Sequence, residues 1–220
     1  MTIHPTLRSL LLLAATVLFF GQSFFGQAAH AQDADAVFQR LKAKYDAIDG
    51  LRASFTQTMT SAYTDDEASF SGALAFQGQQ YRVETGNQTV VSDGKTTYIY
   101  LPAENQVLIG DPAEGEMASP SDFLLNYDTH FNASAVSVEQ LDGQTHYKLT
   151  LTPKNGSSMF QSATIWLRDR DDIITRMELL DVNETTMTFN LTNVEINPRL
   201  DANTFVFETP DGAEVIDLRS

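Results

Sequence analysis

Between Val37 and Ile48 the apolar residues Val37, Phe38, Leu41, Tyr45 and Ile48 recur three and four positions apart. On a helix that spacing gathers them into one stripe that can lie on a core. Asp33 and Asp35 suit its N-terminal end, where the helix dipole favours negative charge, and Gly50 is a natural stop. Beyond Gly50 the period changes to two. Ala53, Phe55 and Met59 alternate with Ser54, Thr56, Thr58 and Thr60, and Phe70, Gly72, Leu74 and Phe76 alternate with Ser69, Ser71, Ala73 and Ala75. Tyr81 and Val83 do the same with Arg82 and Glu84. This alternation predicts strands with one buried face. Further strands are predicted over 90–91, 97–100, 133–141, 146–152, 163–168, 173–180 and 186–196, with Asp93-Gly94 and Asp142-Gly143 as tight turns. Even spacing and short links predict one continuous antiparallel meander.

Two segments depart from this pattern. Ser119-Pro120 opens a run through Phe123, Leu124, Leu125 and Tyr127 that reads as a short helix, with Ser119 as N-cap and Pro120 in the first turn. It follows an acidic loop, Asp111 to Glu116. A helix between two runs of strands can cover the mouth of a curved sheet. At the start of the chain, Arg8 precedes the apolar run Leu10–Phe20, and Ala29-His30-Ala31 places small residues where a signal peptidase reads. Residues 1–31 are therefore expected to be a secretory signal peptide cleaved before Gln32, leaving one domain over 32–220. No later stretch is long and apolar enough to span a bilayer as a helix.

Composition narrows the chemistry. Zero cysteine excludes disulfides, thiol catalysis, Cys-ligated zinc and a lipid-modified N-terminal Cys. A net charge of −15, from 29 acidic and 14 basic residues, argues against nucleic acid and against electrostatic docking on anionic lipid. Hydrophobic residues make up 42% of the chain, enough for a packed core. Of four histidines, His130 and His146 lie beyond the leader, without metal-ligand spacing. There is no nucleophile elbow, phosphate loop or dinucleotide fingerprint. A carboxylate pair for glycoside chemistry stays open, because an acidic chain holds many candidates. The expectation is a protein with no catalytic residue, no metal and no cofactor.

Several predicted strands are apolar on both faces. Tyr98 and Tyr100 point opposite to Ile99 and Leu101, and Ile165 and Leu167 opposite to Trp166. Such a sheet needs cover on both sides or curls around its own interior. A packed core and a barrel closed on one side by helices over an apolar cavity both satisfy this.

At this point a resemblance becomes specific. The segment Leu51-Arg52-Ala53-Ser54-Phe55-Thr56-Gln57 resembles the "ASFTQ" strand of the periplasmic lipoprotein carrier proteins, the LolA family. Val91-Ser92-Asp93-Gly94-Lys95-Thr96-Thr97-Tyr98-Ile99-Tyr100 is similar to that family's "VSDGKTLWxY" hairpin, Tyr81-Arg82-Val83-Glu84 to its "FRWE" strand, and Leu149–Lys154 to its "LTPK" segment. The ending from Phe205 to Asp217 resembles its "FxFxxPxGVxVID" tail. The resemblance implies a mainly β, α+β fold: a single incomplete antiparallel β-barrel closed by helices over an apolar cavity. It implies a monomeric, non-enzymatic periplasmic carrier. Such a carrier takes acylated lipoproteins from an inner-membrane lipoprotein-releasing ABC transporter and delivers them to the outer membrane, with an outer-membrane receptor as a further partner. A lipid- or acyl-peptide-binding sensor or assembly factor on the same fold is the alternative. Strand alternation and the resemblance together nominate Phe55, Met59, Phe70, Leu74, Phe76, Tyr98, Tyr100, Met187 and Phe189 for the cavity wall, and Phe123, Leu124 and Leu125 for the lid. One departure stands out: the family commonly has a basic residue and a Pro after its second strand, whereas this chain has Gln77-Gly78-Gln79. Arg82 is the nearest cation to that position.

Overall fold

Helix α1 spans Gly26–Tyr45 in the computed structural model, which describes residues 26–64, 67–112, 124–156 and 158–219. It starts seven residues before Asp33, because Ala and Gln around that position favour helix and nothing there stops it. Its predicted stripe is its buried face: Val37, Phe38, Leu41 and Tyr45 are buried, Leu41 completely. Tyr45 reaches furthest. Its hydroxyl accepts the Ile174 backbone N–H at 2.8 Å, so the helix is tied to the sheet by a buried polar contact as well as by apolar burial.

Twelve strands form one sheet among the described residues: β1 (Gly50–Ser61), β2 (Glu67–Gln77), β3 (Gln80–Thr85), β4 (Thr89–Ser92), β5 (Thr97–Leu101), β6 (Gln106–Gly110), β7 (Phe131–Leu141), β8 (Gln144–Pro153), β9 (Phe160–Arg168), β10 (Ile173–Asp181), β11 (Thr185–Ile196) and β12 (Glu214–Asp217). Their spatial order is β12-β6-β5-β4-β3-β2-β1-β11-β10-β9-β8-β7. The expected single meander is corrected here. There are two meanders, β1 to β6 and β7 to β11, joined where the two longest strands, β1 and β11, pair antiparallel. The terminal β12 pairs parallel to β6. Neither β6 nor β12 shows the alternation that marked the other strands: Val107, Leu108 and Ile109 are successive apolar residues, and β12 is four residues long.

The turns follow their chemistry. Asp142 and Gly143 both have positive φ, 53° and 72°, as a two-residue mirror-image hairpin turn requires. The Asp93 carboxylate accepts the backbone N–H groups of Lys95 and Thr96, both at 2.8 Å, and fixes the turn between β4 and β5.

The sheet is open and curled. One continuous core joins α1 to Leu51, Phe76 and Tyr81 on one half and to Leu149, Ile165, Ile174 and Met177 on the other. Leu124 and Leu125 are helical; the run breaks at Asn126 and resumes as α2 (Tyr127–His130). The expected helix over 119–127 lies partly outside the described residues, and residues 1–25 of the expected signal peptide lie wholly outside them.

Candidate apolar binding face

The inner face is set by register. Partners across a ladder share a face. Leu51 pairs with Phe76, Ala53 with Leu74 and Phe55 with Gly72, while Met59 opposes Met187 and Gln57 opposes Phe189. Phe55, Met59, Phe70, Leu74, Phe76, Met187 and Phe189 therefore share the face that carries α1. They divide by depth. Phe76 is fully buried, Phe55 and Leu74 nearly so. Towards the far end of β1, β2 and β11 the cover thins: Met59, Met187 and Phe189 are half-buried and Phe70 is 36% exposed. The rings of Phe55 and Phe70 meet edge to face with centroids 6.3 Å apart. The result is an apolar surface continuous with the core but not sealed by it.

Gly72 makes this close approach feasible. A Cβ there would fall well inside contact distance of the Glu84 carbonyl oxygen and 3.0 Å from two carbons of the Phe55 ring. The glycine lets Phe55 lie across β2.

Leu124 is buried and Leu125 packs against the core, so both described lid candidates touch the inner face; Phe123 lies outside the described residues. The α2 junction is pinned to α1. Lys42 Nζ contacts an Asp128 carboxylate oxygen at 2.7 Å, Lys154 donates to the Asp128 carbonyl at 2.7 Å, and the Phe38 and Tyr127 rings meet edge to face at 5.7 Å. Burial raises the phenol pKa of both Tyr45 and Tyr127. The Tyr127 hydroxyl is buried without a hydrogen-bond partner among the described residues.

Tyr98 and Tyr100 do not belong to this face. Val83 pairs with Val90 and Val90 with Ile99, which turns Ile99 inward and both tyrosines outward. The sequence alternation was right, but it does not say which half points in. Outside, Tyr98 stacks on Phe207 at 5.1 Å and the Tyr100 hydroxyl donates to the Asn105 side-chain oxygen at 3.3 Å. Tyr100, Val206 and Phe207 line an outer cleft of about 430 Å³ beneath the C-terminal segment. Val83, Val90 and Ile99 also point inward but are not among the wall candidates; alternation already marks the face of Val83, whereas in the two-sided β4 and β5 only the ladder to β2 identifies Val90 and Ile99.

Arg82 also faces outward, beside Ala75, and its Nε contacts Glu84 at 2.6 Å. It does not point at the helices. Gly78, with φ of 58°, makes the turn between β2 and β3 where the family's basic residue and Pro are missing. Among the described residues no three His, Asp or Glu side chains gather as a metal site.

The family model for the outer membrane lipoprotein carrier protein LolA matches residues 46–208. The chain belongs to the LolA family. Among curated relatives it is similar to an outer-membrane lipoprotein carrier protein of Xanthomonas oryzae pv. oryzae, 29% identical over 97% of this chain and 98% of that one. A carrier protein of the same name from Chromohalobacter salexigens is 31% identical over 59% of this chain and 60% of its own. Among solved structures, an uncharacterized conserved protein of Thermus thermophilus aligns with a TM-score of 0.54 at 14% identity, covering 84% of this chain and 99% of that one. That likeness concerns the fold alone. The LolA fold places the open, curled sheet and its helix-bearing inner face in a family context, and α1 begins ahead of the matched span.

Proposed function

We propose that this LolA-family chain is a periplasmic carrier that shields the acyl chains of lipoproteins in transit to the outer membrane. In this reading residues 1–31 are removed on export and residues 32–220 act as one unit. An inner-membrane ABC transporter supplies the cargo and an outer-membrane receptor accepts it. The observation that carries the reading is the unsealed inner face at Met59, Phe70, Met187 and Phe189, next to a sealed core. A buried methylene is worth about 0.8 kcal/mol, so an acyl chain of roughly a dozen carbons gains on the order of 10 kcal/mol by leaving water. Only a broad apolar surface that can be uncovered again provides both that gain and release. The work is binding and requires no catalytic group.

The test is release of lipoproteins from inner-membrane vesicles or spheroplasts by the purified exported protein. Phe70→Glu places a charge at the most exposed of these positions, and should abolish release with little change in the thermal melt. Unchanged release, or free lipid rather than intact lipoprotein on the purified protein, would overturn the carrier reading.

A further inference from the structure

We propose that Gln57 is a specificity-determining residue of the inner face, and that its side-chain amide hydrogen-bonds the carbonyl through which an acyl chain is joined to the rest of its ligand. The proposal rests on the carrier reading and names the polar part of the ligand that the face recognises.

Register places the side chain. The pairing of β1 is regular from Ser54 to Ser61 with β11 and from Gly50 to Thr60 with β2. Gln57 lies midway between Phe55 and Met59 in that run, so it shares their face. Across the two ladders it stands directly opposite Phe189 on one side and Phe70 on the other. Cβ atoms of such partners are roughly 4.5–5.5 Å apart. Four apolar side chains therefore surround one amide, where the sealed core at Phe55 gives way to the half-covered positions beyond it.

The amide itself is unpaired. Gln57 is half-buried, and its side chain makes no hydrogen bond among the described residues. Thr85, opposite Gly72 on the same face, differs: its hydroxyl donates to the Gln88 carbonyl and accepts the Gln88 N–H. A primary amide offers two donors and an acceptor oxygen. While the face is uncovered, water meets them. An acyl chain lying over Phe70 and Phe189 displaces that water, and an amide left without a partner then opposes binding. The partner must come from the ligand. A hydrocarbon tail supplies none, but an acyl chain by definition ends in a carbonyl, whose oxygen accepts from Gln57 Nε2 whether the linkage is an ester or an amide. The contact fixes how far along the face the chain can slide. It also selects acyl over alkyl chains of equal length, which apolar burial alone cannot tell apart.

The probes are a monoacylglycerol with a chain of about twelve carbons and the alkylglycerol ether of the same length, added to the purified exported protein below their aggregation concentrations and followed by calorimetry. The ether keeps head and tail and lacks the carbonyl. The ester should bind about three- to tenfold more tightly. Gln57→Met, close in size and apolar, should bring the two affinities together by weakening the ester, with an unchanged or higher melt. A second measurement needs no variant: the carbonyl stretch of an isotope-labelled ester, bound to the unsubstituted protein, should fall below its frequency in a hydrocarbon solvent. Equal affinities for ester and ether, a preference that survives Gln57→Met, or a bound carbonyl band at the hydrocarbon frequency would each overturn the assignment of Gln57 while leaving the carrier reading in place. Failure of both probes to bind would overturn the carrier reading and the assignment with it.

Discussion

Tyr127 shows how much one atom can decide. Its ring is buried against Phe38, yet its hydroxyl has no partner among the described residues. A buried, unsatisfied hydroxyl costs roughly 1–3 kcal/mol, so Tyr127→Phe should leave stability unchanged or raise it by about 1 kcal/mol in denaturant titration. A loss of stability would mean the hydroxyl is satisfied in solution. Tyr45 behaves oppositely, because its hydroxyl accepts the Ile174 N–H. Burial raises both phenol pKa values, so the native state holds their protons above pH 10, where unfolded tyrosine gives its proton up. Stability contributed by these protonated phenols is complete below about pH 10 and falls as pH rises beyond it. In an ultraviolet titration these two of the seven tyrosines should ionise only as the protein unfolds, and Tyr127→Phe should shift the alkaline midpoint upward. Gly72 is the complementary case, where there is no room for an added atom. Gly72→Ala meets the Glu84 carbonyl and the Phe55 ring, and should destabilise by about 1–3 kcal/mol while displacing Phe55.

Among the elements, the helix contact is the most informative. The chain lacks the family's basic residue after β2, and its cation at 82 faces away. Lys42 and Lys154, from α1 and the end of β8, hold Asp128 of α2 instead. Asp128→Asn should speed amide exchange over 127–131 with little change in the global melt, since the Lys42 side chain is 37% exposed and the pair is partly screened. Leu41→Ala, by contrast, removes a fully buried side chain from the α1 stripe and should cost about 2–5 kcal/mol. The stripe was legible in the sequence because a helix repeats its buried face every three or four residues. The strands with one apolar face, β1 and β2, were equally legible, and with them Phe55, Leu74 and Phe76. Where both faces are apolar, as in β5, alternation gives two answers and the ladder chooses between them; Tyr98 and Tyr100 went to the wrong side for that reason. The division into two meanders was illegible for a related reason: pairing of β1 with β11 joins residues more than a hundred positions apart, and no local pattern encodes it.

At the scale of the whole molecule, charge and apolar surface respond to salt in different ways. Fourteen cations cannot neutralise 29 acids even if every one is paired, so fifteen negative charges remain. The observed pairs, such as Arg40–Asp172 at 2.8 Å and Arg52–Glu195 at 2.7 Å, are partly or largely exposed and individually worth little. Salt weakens these attractions, but it also screens the larger self-repulsion over a Debye length that shrinks to about 10 Å at 0.1 M. Because the repulsion has no counterpart of equal size, screening should win. The melting temperature should rise with sodium chloride from about 0.01 to 0.5 M, steeply at first and then levelling, with potassium chloride giving the same curve. If the inner face binds acyl chains as proposed, that burial is not screened, and affinity for an uncharged acyl probe should hold across the same range. A melting temperature that falls with salt would show that the surface ion pairs outweigh the excess charge. An acyl affinity that collapses with salt would place the probe on a charged surface and away from the apolar face built by Phe55, Phe70 and Phe189.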